Sequence, residues 1–219
     1  MRYINGSTLR VKVFVVEQTK NRRTRGRPRQ FDLDEAVAAA QRLFHARGYD
    51  AVSVADLTQA IGINPPSFYA AFGSKAGLYS RILDRYAAHG AIPLPDLLNA
   101  DRPIAECLVA VLEEAARRYA ADPGAAGCLV IEGTRCADRE AKGAAGAFLT
   151  AAEQAIYRFI AARYPDQAAC MQDYMSTVMA GLSASARNGH NFDRLLATAR
   201  LAGVGLEQTF APNRQGREK

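Results

Sequence analysis

Asn64, Pro65, Pro66, Ser67, Tyr69 and Lys75 stand close together in the stretch GINPPSFYAAFGSK, and their chemistry is that of binding rather than bond-making. Hydroxyls and an ammonium suit phosphate oxygens or base edges, and proline rings offer an apolar surface to thymine methyls. The stretch lacks Arg and Gln, and Asn64 alone has an amide, so the expected base contacts are largely apolar. A second group lies upstream in KNRRTRGRPRQ, where Lys20, Arg22, Arg23, Arg25, Arg27 and Arg29 occur without an acid. The chain has a formal net charge of +6, and this run accounts for all of it. The basicity is therefore a local arm suited to an anionic polymer. Pro28 favours an extended Arg27, a form that fits a narrow groove of DNA. A solvated tail adding only nonspecific attraction is the alternative.

Enzyme chemistry finds little to stand on. GLSAS approaches the nucleophile pattern GxSxG but lacks the final glycine and a preceding strand. There is no phosphate-binding loop and no HExxH, and His45, His89 and His190 lie apart from any nucleophile. Cys107, Cys128, Cys136 and Cys170 are scattered, with no CxxC and no histidine at ligand spacing. They read as reduced, small core residues of a cytoplasmic protein, with no cofactor and no metal. Metal or thiol sensing by Cys128 and Cys136 is the alternative. Near the start, VFVV is too short for a signal peptide or a membrane span.

The elements that must position these groups are helical throughout. Leu33, Val37, Ala40 and Phe44 repeat at helical spacing behind a cap at Asp32 or Asp34, and Gly48 ends that helix. Ser53 caps a second helix with Val54, Leu57 and Ile61 on one face, stopped by Gly62. Asn64 caps a third, with both prolines in a first turn whose N–H groups have no intrahelical partner anyway. Ile63, Phe68 and Phe72 pin this short helix, leaving Pro65, Pro66, Ser67, Tyr69 and Ala70 outward. Ser74 caps a fourth, turning Leu78, Ile82 and Tyr86 inward. Helix, tight turn and short helix on a supporting helix is the order of a helix-turn-helix. AIPLPDLLNADRP then breaks the pattern, and five further helices follow to about Phe210. The expected fold is all-α, with about nine helices and no strand after residue 20.

These residues carry a family resemblance. AVSVADLTQAIGINPPSFYAAFGSKAGLYSRIL resembles the DNA-binding domain of TetR-type (TetR/AcrR) transcriptional regulators, strongly over residues 31 to about 90. Gly48-Tyr49, Ser53, Gly62 and the spacing of Tyr69, Phe72 and Lys75 contribute to the match. The resemblance implies a three-helix DNA-binding domain followed by a helical domain for effector binding and dimerisation. It gives DNA-facing roles to Ser53, Asn64, Pro65, Pro66, Ser67, Tyr69 and Lys75, and RGRPR is similar to minor-groove hooks using Arg25, Arg27 and Arg29. Val52 stands where a threonine is frequent and Ala71 where a histidine is frequent, which shifts affinity toward the arm.

The expected division is a flexible extension over 1–24, the arm and helix-turn-helix domain over 25–90, and the effector and dimerisation domain over 91–212. Cys128, Phe148, Tyr157, Met171, Tyr174 and Met175 are candidates for lining an effector pocket. A shortage of charges there favours an apolar or aromatic small molecule. Met179, Leu182, Leu195, Leu196 and Val204, beside Ala180, Gly181, Gly203 and Gly205, suit a four-helix interface in a homodimer. Packing within one chain is compatible with the same pattern. The expected function is a ligand-responsive, DNA-binding regulator, a repressor released from its operator by a small molecule. The competing reading is a helical ligand-binding or catalytic protein with an incidental basic arm.

Overall fold

A computed structural model describes residues 32–210. Among them the secondary structure is helical: α1 (Leu33–Arg47), α2 (Val54–Ile61), α3 (Pro65–Phe72), α4 (Lys75–His89), α5 (Leu94–Leu97), α6 (Ile104–Tyr119), α7 (Leu129–Gly133), α8 (Arg139–Ala161), α9 (Ala168–Arg187) and α10 (Phe192–Thr209). The helices expected from periodicity are all present, and the single turn α5 is added within the stretch that breaks the pattern. Short 3-10 turns at Pro123–Ala125 and Pro165–Gln167 precede α7 and α9.

Side-chain caps define the starts of α1, α3, α4, α8 and α10. Asp32 accepts from the amides of Asp34 and Glu35, Asn64 from Ser67, Ser74 from Gly77, Asp138 from Glu140 and Ala141, and Asn191 from Arg194. Each such bond pairs an amide that the helix itself leaves without an acceptor. Gly62 closes α2 in the left-handed region, with φ of 78°.

Helices α1 to α4 share a core built on Val37, Ala40, Phe44, Leu57, Phe68, Phe72, Leu78 and Ile82. Leu33 departs from the expected inward stripe. It is 38% exposed, and the buried face starts at Ala36 and Val37, after the first helical residues. Beyond α5, the expected stripe of α6 is buried along its length, from Ile104 through Leu108, Val111, Leu112 and Ala115 to Tyr119. Helix α10 packs along α6 where Gly203 meets Val109, and a Cβ there would come within 2.9 Å of that valine's methyl. Cys107, Cys128 and Cys136 are buried as expected of core residues, but Cys170 is exposed. It stands near the start of α9, on a face turned to solvent. No described helix is long and apolar enough to cross a membrane.

Candidate nucleic-acid interface

The second helix of the candidate reading head begins with a capping box. Ser53 Oγ accepts the Asp56 amide at 3.1 Å, and Asp56 Oδ2 accepts the Ser53 amide at 2.8 Å. The Asp56 carboxylate also accepts the Ser53 hydroxyl and lies 3.2 Å from Arg47. The Ser53 hydroxyl and amide bonds, followed by Arg47, hold the Asp56 carboxyl down at about 2. Ser53 is exposed but already engaged in this network. Arg47 also donates to the Ala51 carbonyl at 2.9 Å, bracing the turn between α1 and α2.

Helix α3 has eight residues, too few to persist alone. Phe68 and Phe72 hold it, at 0% and 6% exposure, with ring centroids 5.3 Å apart. Ile63 packs at the edge of the same core. The other side leaves Asn64, Pro65, Pro66, Ser67 and Ala70 exposed, and Tyr69 is 52% exposed. Tyr69 meets the edge of Phe68 at 5.4 Å, which steadies its ring while its outer face stays open. An apolar, hydroxyl-bearing face thus stands on a firm anchor. Val52 is fully buried, so the position where a threonine is frequent belongs here to the core.

Helix α4 starts immediately after this face. Gly77 is required by close approach: a Cβ there would clash with the Phe72 carbonyl oxygen. Lys75, in the first turn, has its Nζ 4.1 Å from the centroid of the Tyr49 ring and 6.0 Å from that of Phe44. The ring's negative face offsets the unfavourable position of a cation at a helix N-terminus. Burial against these rings lowers the Lys75 pKa, opposed by Asp50 and Asp138.

The rings also join the reading head to the later helices, which sequence reasoning did not foresee. Tyr49 donates its hydroxyl to Asp138 Oδ2 at 2.7 Å, and the Asp50 carboxylate accepts the Ala137 amide at 3.0 Å. Burial, then the bond to Asp138, raises the Tyr49 phenol well above its ordinary range, while that bond lowers the Asp138 carboxyl. Tyr79 donates to the Leu129 carbonyl at 3.2 Å, and Tyr86 to Cys128 Sγ at 3.7 Å. His45 Nε2 lies 3.0 Å from the Gly127 carbonyl. Partners separated by 42 to 89 positions leave no local signal in the sequence.

The remaining candidates are dispersed. Arg25, Arg27 and Arg29 lie outside the described residues. Cys128 sits under Tyr86 at the junction, Tyr157 is 42% exposed, and Tyr174 donates to the Ala202 carbonyl on α10 at 2.9 Å. Met175 is fully buried, and Phe148 and Met171 are half-buried. None of these six lines the cavity of about 300 Å³ bounded by α7, α8 and α9. Of the candidates for a dimer interface, Leu182 and Leu195 are buried inside the protomer, Met179 and Leu196 are half-buried, and Val204 is 47% exposed. Leu201, which the sequence reading passed over, is 74% exposed one turn before Val204.

Comparison with known proteins agrees with this geometry. Residues 36–82 match the family model of bacterial regulatory proteins of the tetR family. The chain is 55% identical to the HTH-type transcriptional repressor BdcR of Escherichia coli (strain K12), over 86% of this chain and 95% of that protein. It is 28% identical to the HTH-type transcriptional repressor ComR of the same organism, over 81% of this chain and 90% of that protein. Among solved structures, a cysteine mutant of the TetR family transcriptional regulator CifR, complexed with 26-base-pair double-strand operator DNA, is similar at a TM-score of 0.69. Identity to CifR is 32%, and the match covers 81% of this chain and 98% of that one. The chain belongs to the TetR family of bacterial regulatory proteins.

Proposed function

We propose that this DNA-binding transcriptional regulator is a cytoplasmic homodimeric repressor, released from a double-stranded operator by a small molecule. The observation that carries the DNA-binding part is the α3 face: Pro65, Pro66, Ser67 and Tyr69 are exposed on a helix whose Phe68 and Phe72 are locked in the core. The prolines and Tyr69 meet base edges, while Asn64, Ser53 and Lys75 lie toward the flanking phosphates. Arg25, Arg27 and Arg29 add minor-groove and phosphate contacts ahead of α1. The DNA-reading part ends near residue 90, and the following helices serve dimerisation and effector binding.

The dimer reading is supported by α10. Its inner face is packed by Leu195, Ala199, Gly203 and Leu206, while Leu201 and Val204 face outward. Paired across a two-fold axis with α9, this face would set two reading heads about one DNA turn apart. The effector reading is supported by the cavity between α7, α8 and α9. Ile131, Leu149, Ile156 and Met179 give it apolar walls, and Glu153 and Ser176, with Thr134, Arg135 and Thr177, supply its polar groups. Ser176 donates to Glu153 at 3.0 Å and lies 2.9 Å from the Gln172 amide nitrogen. Such a lining suits a compact, largely apolar or aromatic effector with one hydrogen-bond donor for Glu153.

Sedimentation of the full chain, alone and with a duplex recovered by selection from a random-sequence library, tests the assembly. The expected result is a dimer that binds one duplex and dissociates on Val204→Glu. A monomer that binds DNA equally well before and after that substitution would overturn the dimeric reading.

A further inference from the structure

Tyr49 touches both the candidate phosphate-binding lysine and the start of α8. Four contacts fix its ring. It stacks on Phe44 at 5.4 Å and 9°, meets the edge of Tyr79 at 5.0 Å, bonds Asp138 at 2.7 Å through its hydroxyl, and carries the Lys75 ammonium on its face at 4.1 Å. The Asp138 carboxylate is itself held. One oxygen accepts the amides of Glu140 and Ala141 as the cap of α8, and the other takes the Tyr49 hydroxyl. Asp50 adds a second tie, to the amide of Ala137. The corner Tyr49-Asp50 therefore grips the corner Ala137-Asp138 at two points.

A lysine side chain has a flexible four-carbon stem, and an ammonium free to wander would lose much of its attraction for one phosphate to entropy. A fixed ring removes that freedom. We propose that Tyr49 is a positioning residue for DNA binding: anchored on Asp138, its ring sets where the Lys75 ammonium meets a backbone phosphate. The proposal rests on the DNA-facing role of Lys75 in the proposed function. The ammonium rests one side on the ring and keeps N–H donors for a phosphate at the N-terminus of α4. Displacing the first turn of α8 carries Asp138 away and removes the one polar anchor of a ring otherwise held by Phe44 and Tyr79, so the later helices act on a DNA contact without touching DNA.

The test uses the full chain and a duplex recovered from a random-sequence library, with affinity measured across a salt series. Lys75→Ala should raise Kd about tenfold and flatten the salt slope by about 0.9 for each phosphate that the ammonium no longer neutralises. Tyr49→Phe keeps the ring but removes its anchor. Asp138→Ser keeps a cap for α8 but is too short to reach Tyr49. Each should raise Kd by about threefold or more and flatten the slope in the same direction. Tyr49→Phe should add nothing once Lys75 is alanine. Parental Kd and slope in both Tyr49→Phe and Asp138→Ser, with only thermal stability lowered, would overturn the positioning role. A parental slope in Lys75→Ala would instead remove the DNA-facing reading of Lys75, and the proposal with it.

Discussion

Arg187, in the last turn of α9, donates to the backbone carbonyl of His45 at 3.0 Å across 142 positions of sequence. The same guanidinium nitrogen lies 3.4 Å from the Ala126 carbonyl, and Glu132 is 3.7 Å from the group. The His45 carbonyl belongs to the end of α1, where helix carbonyls lack intrahelical partners, so a helix of the later part caps the first helix of the reading head. Arg187→Ala should cost about 1–3 kcal/mol, because it strands two part-buried carbonyls. The urea midpoint of the full chain measures it.

His45 should make stability depend on pH. Burial lowers its imidazole pKa below the ordinary 6.5, with Arg187 acting in the same direction and the Gly127 carbonyl, Asp122 and Glu132 opposing. As pH falls through that ordinary value, the unfolded chain takes up a proton that the folded chain resists. Stability is then lost on acidification, and the contribution is recovered above it. His45→Gln should flatten the difference between urea midpoints at about pH 5 and about pH 7.5.

Anchoring and reading on α3 should separate cleanly by mutation. Phe68→Ala should cost about 3–5 kcal/mol, since the ring is fully buried beneath an eight-residue helix. Tyr69→Ala should shift stability by no more than about 0.5 kcal/mol yet weaken DNA binding at least tenfold. Paired unfolding and binding curves check both.

Gly77→Ala should destabilise by about 1–3 kcal/mol, because the new methyl would press on the rigid carbonyl of Phe72 rather than on a movable side chain. Thermal unfolding would register this as a lowered midpoint. DNA binding measured well below that midpoint should also weaken, because α3 and α4 must part slightly.

Sequence patterns were enough to locate the helices, their caps at Ser53, Asn64, Ser74 and Asn191, and the split of α3 into the Phe68–Phe72 anchor and the Tyr69 face. Each of these is a local rule of spacing or end chemistry. What escaped depends on tertiary contact. Nothing near Tyr49 in sequence points to Asp138, and nothing near His45 points to Gly127 or Arg187. Leu33 shows a different limit. It has the spacing of Val37, Ala40 and Phe44, which are buried, but whether a helix face is covered depends on what packs against it, and Leu33 is exposed. None of the six candidate pocket residues lines the cavity between α7, α8 and α9, since aromatic and sulfur-bearing side chains at helical spacing fill cores as readily as they line cavities.

The most direct test of the DNA-binding account is a fluorescence-anisotropy titration of the full chain against duplex DNA from upstream of its own coding sequence. A scrambled duplex is run beside it at two salt concentrations. Selective binding with a steep salt slope, reduced by deleting residues 20–30 and abolished on the specific duplex by Tyr69→Ala, is the predicted result. Equal binding to both duplexes that vanishes with salt and is indifferent to Tyr69→Ala would contradict it.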